Sequence, residues 1–497
     1  MNKEQGSSII EVLIAIAILS IGISAATMLS FASQSLEVDT DTSQEALYMA
    51  KEILETARAD SRESFFSVSD TTPPPESIYT KQLFVSDDTQ CRKTATSTIT
   101  WNVSPVRPQT IELATILTDI AGTLALGGDC DFEPPDGGWN PPVLFASDTL
   151  SPGKILAIDV LKKIVYLSSD KEPFLVIADA TDAYLGQDFH DPMIVSFDNN
   201  FNVDGERLKM INDIDVYENN DTGKTYALLA IASSTKQFAI VDVTDIRKPE
   251  LIAERDLDGV DPEGSFPQGW RIHYYDKKAY ITTRETSGPE FHIFDLSVDP
   301  ENPSEIGSGT KLTGCTPPNG TTVNDFVVRG DFAFLAASKA GCELMIYDVS
   351  DPFLPSYMVD ASVNLSGTKD AESLFLIGNK LYLGREKSPG NEIYVFDVSD
   401  LESAEGGLPI LSPTDDDKEL DIDITGIRVI GRFGFFVSYS SGSGGLEVLD
   451  VSDPSSDIEP IYLDFNFGNK PSVVDFEGDY LYAGSEATPN LQIFYSP

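Results

Sequence analysis

The sequence predicts an α+β module, made of one long N-terminal helix and a small antiparallel sheet, followed by an all-β seven-bladed propeller. Three observations support this fold class. Residues 9–32 are almost continuously apolar, residues 78–120 alternate polar and apolar side chains, and a strand-plus-aspartate phrase recurs throughout residues 143–497.

The apolar run contains one charged side chain, Glu11. A carboxylate inside a segment long enough to span a bilayer costs about 2.5–3.5 kcal/mol, so Glu11 calls for a positively charged partner. A secretory signal peptide has a shorter apolar core and does not normally carry an acid in it. An ordinary membrane anchor explains the length of the segment and leaves the acid unexplained.

The leader 1–6 with Gly6 at its end, Glu11, and the apolar stretch 12–19 together resemble the N-terminus of type IV pilins and pseudopilins. The resemblance implies that a prepilin peptidase cleaves after Gly6 and methylates the new amine on Ser7. It also implies that Glu11, the fifth residue of the mature chain, neutralises the N-terminal amine of a neighbouring subunit in a filament. The chain departs from the family at Ser7, where the family usually has Phe.

Charge flanking the apolar run predicts the orientation of the chain. Lys3 precedes the run and four acids follow it within residues 37–45, so the bulk of the chain is expected outside the cytoplasm. The resemblance implies residence in the cytoplasmic membrane before assembly and in an extracellular surface filament afterwards. Its expected partners are the prepilin peptidase and other pilin subunits.

The first module divides into a helix, a head and a linker. Residues 7–66 are predicted helical, with 7–36 as the transmembrane or filament-core part, because apolar residues recur at three- and four-residue spacing over 46–57. Residues 76–130 are predicted to form a pilin-like β head. Residues 131–142 are rich in Pro and Gly and are predicted to be a linker.

The remaining chain, 143–497, repeats one phrase with a period of roughly 50 residues, which is typical of a β-propeller. Its copies end at Asp179, Asp242, Asp295, Asp348, Asp397 and Asp450, with a truncated seventh copy ending at Tyr495. The strand followed by Asp-Val-Ser-Asp-Pro resembles the LVIVD-repeat propellers.

The last copy has no following strand, because the chain stops at Pro497. An unpaired strand edge invites aggregation, so residues 143–147 are predicted to pair there and to close a ring of seven blades. Six blades with one copy diverted is the alternative.

Two sets of polar residues in the propeller invite a functional interpretation. The aspartate that ends each phrase is predicted to cap its own turn, which is a structural role. The starts of the inner strands are predicted to face a central channel and to form a candidate site for a small polar ligand or a cation; the alternative is an ordinary solvated lining. These residues are Asp213, Arg271, His273, Asp325, Glu372, Arg428 and Asp475.

The four cysteines, Cys91, Cys130, Cys315 and Cys342, fall two in each half of the chain. In an oxidising compartment this favours the disulfides Cys91–Cys130 and Cys315–Cys342 among three connectivities. Four free thiols are the alternative.

Composition and motifs narrow the functional classes. A formal net charge of −46 argues against nucleic acid as a partner. No cofactor is predicted. Calcium is the one ion considered: the loop 200–205 resembles the first half of a calcium loop but has Ile211 where the closing Glu belongs, and the acidic run 415–423 is the other candidate. No metal-binding histidine pair, nucleophile elbow or phosphate loop is present, so an enzyme is not expected.

The sequence therefore predicts a minor or large type IV pilin subunit that displays a propeller for adhesion to a surface protein or a glycan. One alternative is a pseudopilin of a type II secretion or DNA-uptake system whose propeller binds cargo. The other is a propeller hydrolase displayed on a filament.

Overall fold

The structure is a computed structural model of the 497-residue chain. It describes residues 9–63, 65, 68–72, 78–89, 92–104, 107–118, 138–181, 202–203, 206–207, 210–219, 222–233, 235–260, 268–284, 286–313, 322–338, 342–365, 369–387, 391–398, 401, 422–440, 443–451, 459–466 and 471–496. The chain consists of one N-terminal helix followed by many small antiparallel sheets, and it divides into two compact units, 1–123 and 124–497.

Helix α1 spans Ile9–Glu63. Its segment Leu13–Ser30 is long and apolar enough to cross a membrane, with a mean hydropathy of 2.2, and none of it is buried within the structure. The predicted helix continues to residue 66, whereas α1 ends at Glu63. Phe65 and Val68 turn into the apolar core beneath the helix, so the chain leaves the helical path there.

The C-terminal half of α1 packs on an antiparallel sheet of three strands. The strands are β1 (Tyr79–Thr89), β2 (Arg92–Ser104) and β3 (Arg107–Thr118). Ala46, Ala50, Leu54 and Ala57 form the buried helix face and pack against the sheet. The predicted amphipathic face of residues 46–57 is confirmed.

Within the described residues, the second unit contains seven sheets of three or four strands, here numbered sheet 1 to sheet 7 by the order of their first strands. Sheet 1 has β5 (Ile155–Leu161), β6 (Ile164–Ser169) and β7 (Leu175–Asp179); sheet 2 has β10 (Ile211–Asn219), β11 (Lys224–Ile231), β12 (Phe238–Asp242) and β13 (Glu250–Arg255); sheet 3 has β14 (Gly269–Tyr275), β15 (Lys278–Thr283), β16 (Phe291–Asp295) and β17 (Ser304–Glu305).

Sheet 4 has β18 (Val323–Arg329), β19 (Phe332–Ala337), β20 (Leu344–Asp348) and β21 (Ser356–Tyr357); sheet 5 has β22 (Ala371–Ile377), β23 (Lys380–Arg385) and β24 (Ile393–Asp397); sheet 6 has β25 (Asp423–Ile430), β26 (Phe433–Ser440), β27 (Ser443–Asp450) and β28 (Glu459–Asn466). Sheet 7 has β29 (Pro471–Glu477), β30 (Tyr480–Ser485), β31 (Leu491–Tyr495) and β4 (Val143–Asp148). A separate two-stranded hairpin is formed by β8 (Asn202–Val203) and β9 (Glu206–Arg207).

Each sheet packs its apolar side chains against the next sheet in the series, and sheet 7 packs against sheet 1. The first strands follow the same cyclic order of contacts, from β5 to β10 and finally from β29 back to β5. Strand β4 lies beside β31 in antiparallel register, with Ile493 opposite Ala146. The predicted pairing of residues 143–147 with the last strand is confirmed.

The linker predicted over 131–142 extends too far. Trp139 is fully buried, and its ring lies 4.7 Å from that of Phe435 between sheets 6 and 7. The backbone N–H of Trp139 donates to Ser496 Oγ at 2.8 Å. Residues 138–142 therefore belong to the second unit, because the indole packs in the apolar layer between sheets 6 and 7. Residues 131–137 lie outside the described part of the chain.

The aspartates that end the third strands cap the following turns, as predicted. The Oδ1 atoms of Asp179, Asp242, Asp295 and Asp348 each accept a hydrogen bond from the backbone N–H two residues later, at 2.8–3.0 Å. These bonds hold the chain in the turn that leaves each sheet.

A second repeated device, which the sequence analysis missed, lies just before the third strand. Gln237, Glu290, Glu343 and Asn490 are buried there, and a side-chain oxygen of each accepts a backbone N–H at 2.9 Å. The donors, at Leu257, Leu312, Leu365 and Leu150, all come from segments that pass beside the third strand. Both amide and carboxylate side chains occur at this position, so an acceptor oxygen is what the position requires.

Replacement of Glu343 tests this device. Glu343→Ala leaves the buried N–H of Leu365 without an acceptor, which costs about 1–3 kcal/mol, whereas Glu343→Gln retains the acceptor, as Gln237 does in sheet 2. We expect the urea midpoint of the second unit to fall clearly for the alanine variant and much less for the glutamine variant. Equal losses in the two variants would contradict the role of the acceptor.

Cys342 is buried in the apolar layer between sheets 3 and 4 and is disulfide-bonded. Cys91, Cys130 and Cys315 lie outside the described residues, so the pairings Cys91–Cys130 and Cys315–Cys342 stay predictions.

Candidate functional site

The first strands of the seven sheets surround a cavity of about 360 Å³. Apolar side chains line much of it, and ionisable side chains line it from six of the seven sheets. These are Asp159, Asp213, Asp215, His273, Asp325, Arg428 and Asp475. Five of the seven predicted channel residues therefore line one chamber, and the remaining two, Arg271 and Glu372, are not among its lining residues.

Asp159 and Asp215 line the chamber and were missed from the sequence. They occupy the fifth position of their strands, as His273 and Asp475 do in theirs, and Arg428 is the sixth residue of β25, which begins one residue earlier. The pairing of each of these first strands with the second has an irregularity near its start, four residues before the chamber residue. Aligning the strands on their fifth residue would have revealed both aspartates, but that alignment depends on this irregularity, which has no sequence signature here.

The chamber carboxylates bind the first strand of the next sheet. Asp159 Oδ2 accepts from Val216 N at 2.5 Å, and Asp215 Oδ2 accepts from Tyr274 N at 2.7 Å. Three other aspartates make the same kind of bond at 2.7–2.9 Å: Asp213 to Ile272 N, Asp325 to Leu374 N and Asp475 to Val160 N. Each of these carboxylates therefore has a structural role at a contact between sheets.

The basic side chains of the chamber also contact carboxylates of the chain. Arg428 Nε donates to Asp475 Oδ1 at 2.8 Å, which joins sheets 6 and 7. His273 Nδ1 lies 3.2 Å from Asp215 Oδ2. Outside the chamber lining, Arg271 donates from Nε to the carbonyl of Asn324 and so joins sheets 3 and 4.

Burial is the main influence on the chamber acids. It raises the pKa of Asp213 to about 7, although the neighbouring Arg271 opposes the rise. Burial, reinforced by Asp475 and Asp215, raises the pKa of Asp159 well above its usual range. Burial also raises the pKa of Asp325. These three aspartates therefore take up protons more readily than exposed aspartates do.

Glu372 lies in a separate acidic group at the start of sheet 5. Asp370, Glu372 and Glu386 place one carboxylate oxygen each within 4.8 Å of one another, a spacing that a divalent cation can bridge. Burial, together with Glu386 and Asp370, raises the pKa of Glu372 to about 7. Lys369 pairs with Glu386 at 3.2 Å and Asn324 donates to Glu372 at 3.3 Å, so the chain itself satisfies part of this group.

The structure does not describe the side chains of the predicted processing and assembly residues. Gly6 and Ser7 lie outside the described residues, and the side chain of Glu11 is not described. Most of the two calcium candidates, 200–205 and 415–423, is also outside the described part of the chain.

Comparison with known families identifies two segments of the chain. Residues 1–27 match the prokaryotic N-terminal methylation motif, and residues 320–361 and 438–461 match the LVIVD repeat. The chain joins a methylation motif to LVIVD repeats. The motif contains Gly6, Ser7 and Glu11, and the repeat matches fall on strands of sheets 4 and 6. No curated protein matches the chain.

Solved structures that match the chain include the computationally designed Ika8 protein, with 11% identity, a TM-score of 0.41, and coverage of 71% of this chain and 99% of that one. A protein from Lactobacillus plantarum has 14% identity and a TM-score of 0.44, covering 64% of this chain and 86% of its own. A putative 6-phosphogluconolactonase from Bacteroides uniformis has 15% identity and a TM-score of 0.41, covering 56% and 80%.

The raised pKa of Asp213 makes a testable prediction about pH. An aspartate ionises near pH 3.9 in the unfolded chain and near pH 7 in the folded one. The folded state therefore binds more protons over this interval, and stability falls as pH rises from 4 through 7. Asp213→Asn removes that loss and still accepts from Ile272 N, so the second unit of the variant should gain up to a few kcal/mol relative to wild type at pH 8, and little at pH 4.

Thermal midpoints measured at pH 4 and pH 8 check this prediction. Asp295→Asn is the control of opposite sign, because hydrogen bonds from Ser297 lower the pKa of Asp295. The ionised Asp295 carboxylate therefore stabilises the folded state at neutral pH, and this stabilisation is lost in acid. Asp295→Asn should accordingly be less stable than wild type at pH 8. A destabilised Asp213→Asn protein at pH 8 would contradict the assignment.

Proposed function

We propose that this protein is a minor or large type IV pilin subunit that displays a β-propeller on a surface filament. The methylation motif at 1–27, with Glu11 inside an apolar helix, carries the proposal. This motif fits processing by prepilin peptidase after Gly6 and assembly with other pilins. The exposed apolar face of Leu13–Ser30 supports it, because a helix with none of this surface covered requires a membrane or neighbouring helices.

The proposal assigns the seven sheets to the blades of one closed propeller. Its support is the cyclic packing of sheets 1 to 7 and the pairing of β4 with β31, which leaves the last strand with a neighbour on each side. The three-stranded sheet on α1 would be the pilin-like head, since a long helix packed on a small antiparallel sheet is the arrangement that the motif implies.

We assign the propeller to binding rather than catalysis, with a surface protein or a glycan as the partner. The chamber acids argue against catalysis, because each already accepts a hydrogen bond from a backbone N–H of the next sheet. A pseudopilin of a secretion or DNA-uptake system has the same motif, so the number of copies per filament separates the two. A bulk subunit is present along the whole filament, whereas a tip protein is present in a few copies. Metal-dependent hydrolysis by the full chain, lost in Asp475→Asn, would favour the enzyme alternative instead.

The pairing of Glu11 is tested by Glu11→Ala. The variant should be inserted in the membrane and fold normally, while its incorporation into filaments falls at least about tenfold, since an N-terminal amine then lacks its counter-charge. Immunoblots of sheared filaments against membrane fractions measure the ratio. Glu52→Ala, which removes an exposed carboxylate from the same helix, is the matched control and should assemble like wild type. Normal incorporation of Glu11→Ala would contradict the pairing.

The adhesion role is tested by removing the second unit, 124–497, whose boundary follows the compact unit seen in the structure. Filaments should persist, because α1 and the three-stranded sheet remain, and attachment to cells or glycan-coated surfaces should fall to background. Attachment that is unchanged in the truncated strain would place adhesion elsewhere.

A further inference from the structure

A cationic and aromatic group lies at the start of sheet 3. It consists of Gln268, Trp270 and Arg284, and is here called the Trp270 cluster. Gly269 pairs with Thr283 across β14 and β15, so Arg284 follows the second strand at the strand end where Gln268 and Trp270 begin the first. All three side chains are partly buried.

Two guanidinium groups lie over the indole ring of Trp270. The Cζ atom of Arg284 is 3.9 Å from the ring centroid, and that of Arg271 is 5.2 Å away. Cation–π contact of this kind fixes the orientation of a guanidinium without neutralising it. Burial lowers the pKa of Arg284, and the charge of the neighbouring Arg271 lowers it further.

Three polar atoms of the cluster have no hydrogen-bond partner among the described residues. Nε of Arg284, Nε1 of Trp270 and Oε1 of Gln268 are buried and make no hydrogen bond. Among the described residues, no carboxylate pairs with Arg284, although acidic residues outnumber basic ones by 80 to 34 in the chain. The guanidinium of Arg284, with its unsatisfied Nε donor, and the unsatisfied indole N–H of Trp270 form a group that an external anion would complete.

The cluster is specific to sheet 3 and is not a requirement of the repeat. Arg385 pairs with Ala371 in sheet 5 as Thr283 pairs with Gly269 in sheet 3, so the equivalent positions are Asp370, Glu372 and Glu386. The same three positions are therefore acidic in one sheet and carry Gln, Trp and Arg in another. A purely structural role would not need this reversal of charge.

Acceptors lie beside the cluster along the strand ends. Arg271 donates to the carbonyl of Asn324, and Asn324 in turn donates to Glu372 at 3.3 Å. Arg271, the second guanidinium over Trp270, thus connects the indole ring to a carbonyl acceptor on sheet 4 and a carboxylate on sheet 5. Hydroxyl groups complement such acceptors, whereas a second negative charge would be repelled by them and by the net charge of −46.

We propose that the Trp270 cluster binds the carboxylate of a sugar acid, with Arg284 as the charge partner and the sugar hydroxyls directed to the neighbouring acceptors. A singly charged carboxylate matches the planar guanidinium in a bidentate contact. This inference rests on the proposed display function and deepens it, because it names the class of glycan that the propeller would recognise.

Calorimetric titration of the full chain in detergent with D-glucuronate tests the proposal. We expect saturable binding of D-glucuronate and none of D-glucose, which has the same ring without the carboxylate. Arg284→Gln should weaken binding at least about tenfold, and Trp270→Phe, which keeps an aromatic ring and removes the Nε1 donor, should weaken it less. Arg432→Gln removes a cation from a hairpin turn of sheet 6 and should bind like wild type.

Three results would overturn the proposal: no binding of D-glucuronate by the folded chain, equal binding of glucose, or unchanged affinity in Arg284→Gln. Tighter binding of glycine or inorganic phosphate than of D-glucuronate would also overturn the assignment to a sugar acid. Circular dichroism and thermal midpoints establish that each variant is folded. Because the titration needs no filament, failure here leaves the pilin proposal intact, and failure of filament assembly leaves the binding result intact.

Discussion

Hydrogen bonds between first strands of neighbouring sheets are the constraint on which the second unit depends. Each contact between sheets contains at least one polar bond in addition to its apolar layer. Aspartates serve four of the seven contacts, Arg271 serves that between sheets 3 and 4, Ser373 Oγ donates to Ile424 O at 3.1 Å between sheets 5 and 6, and Arg428 bonds Asp475 between sheets 6 and 7. Apolar layers alone would permit the sheets to slide, whereas these bonds specify one register.

The same bonds limit what the central chamber can do. Asp475 illustrates the limit, because one oxygen accepts from Val160 N and the other from Arg428. A ligand or metal that bound these oxygens would displace the hydrogen bonds they accept and leave a buried N–H or a buried guanidinium unsatisfied. Recognition is less restricted at the strand ends, where Arg284 and Trp270 have N–H donors that no described residue accepts from. Structure and binding are thus divided between the middle and the ends of the first strands.

Sequence reasoning succeeded where the determining information is local and repeated. The recurring strand-plus-aspartate phrase located the third strands of the seven sheets, and the missing neighbour of the last strand pointed to residues 143–147, which do pair with it. The turn-capping role of the repeated aspartates also followed from local chemistry, since the carboxylate and its donor are two residues apart.

Prediction from the sequence failed where the contact that fixes the structure joins distant segments of the chain. Trp139 lies in a Pro- and Gly-rich stretch typical of a linker, yet its indole packs on Phe435, nearly three hundred residues away in the chain. The acceptor role of Glu343 depends on Leu365 N arriving beside it, and the chamber position of Asp159 depends on the irregular start of its strand. The proposed partner of Glu11 is the N-terminal amine of another subunit, which a single-chain structure does not contain.

The proposed display function depends on processing at the N-terminus, and the mass of the native chain tests it most directly. Mass spectrometry of the protein isolated from its own cells should show a chain that begins at Ser7 with a methylated amine, as the motif at 1–27 implies. A native chain that begins at Met1, or that has been cleaved after the apolar segment, would contradict the filament function and leave only a membrane-bound or released domain.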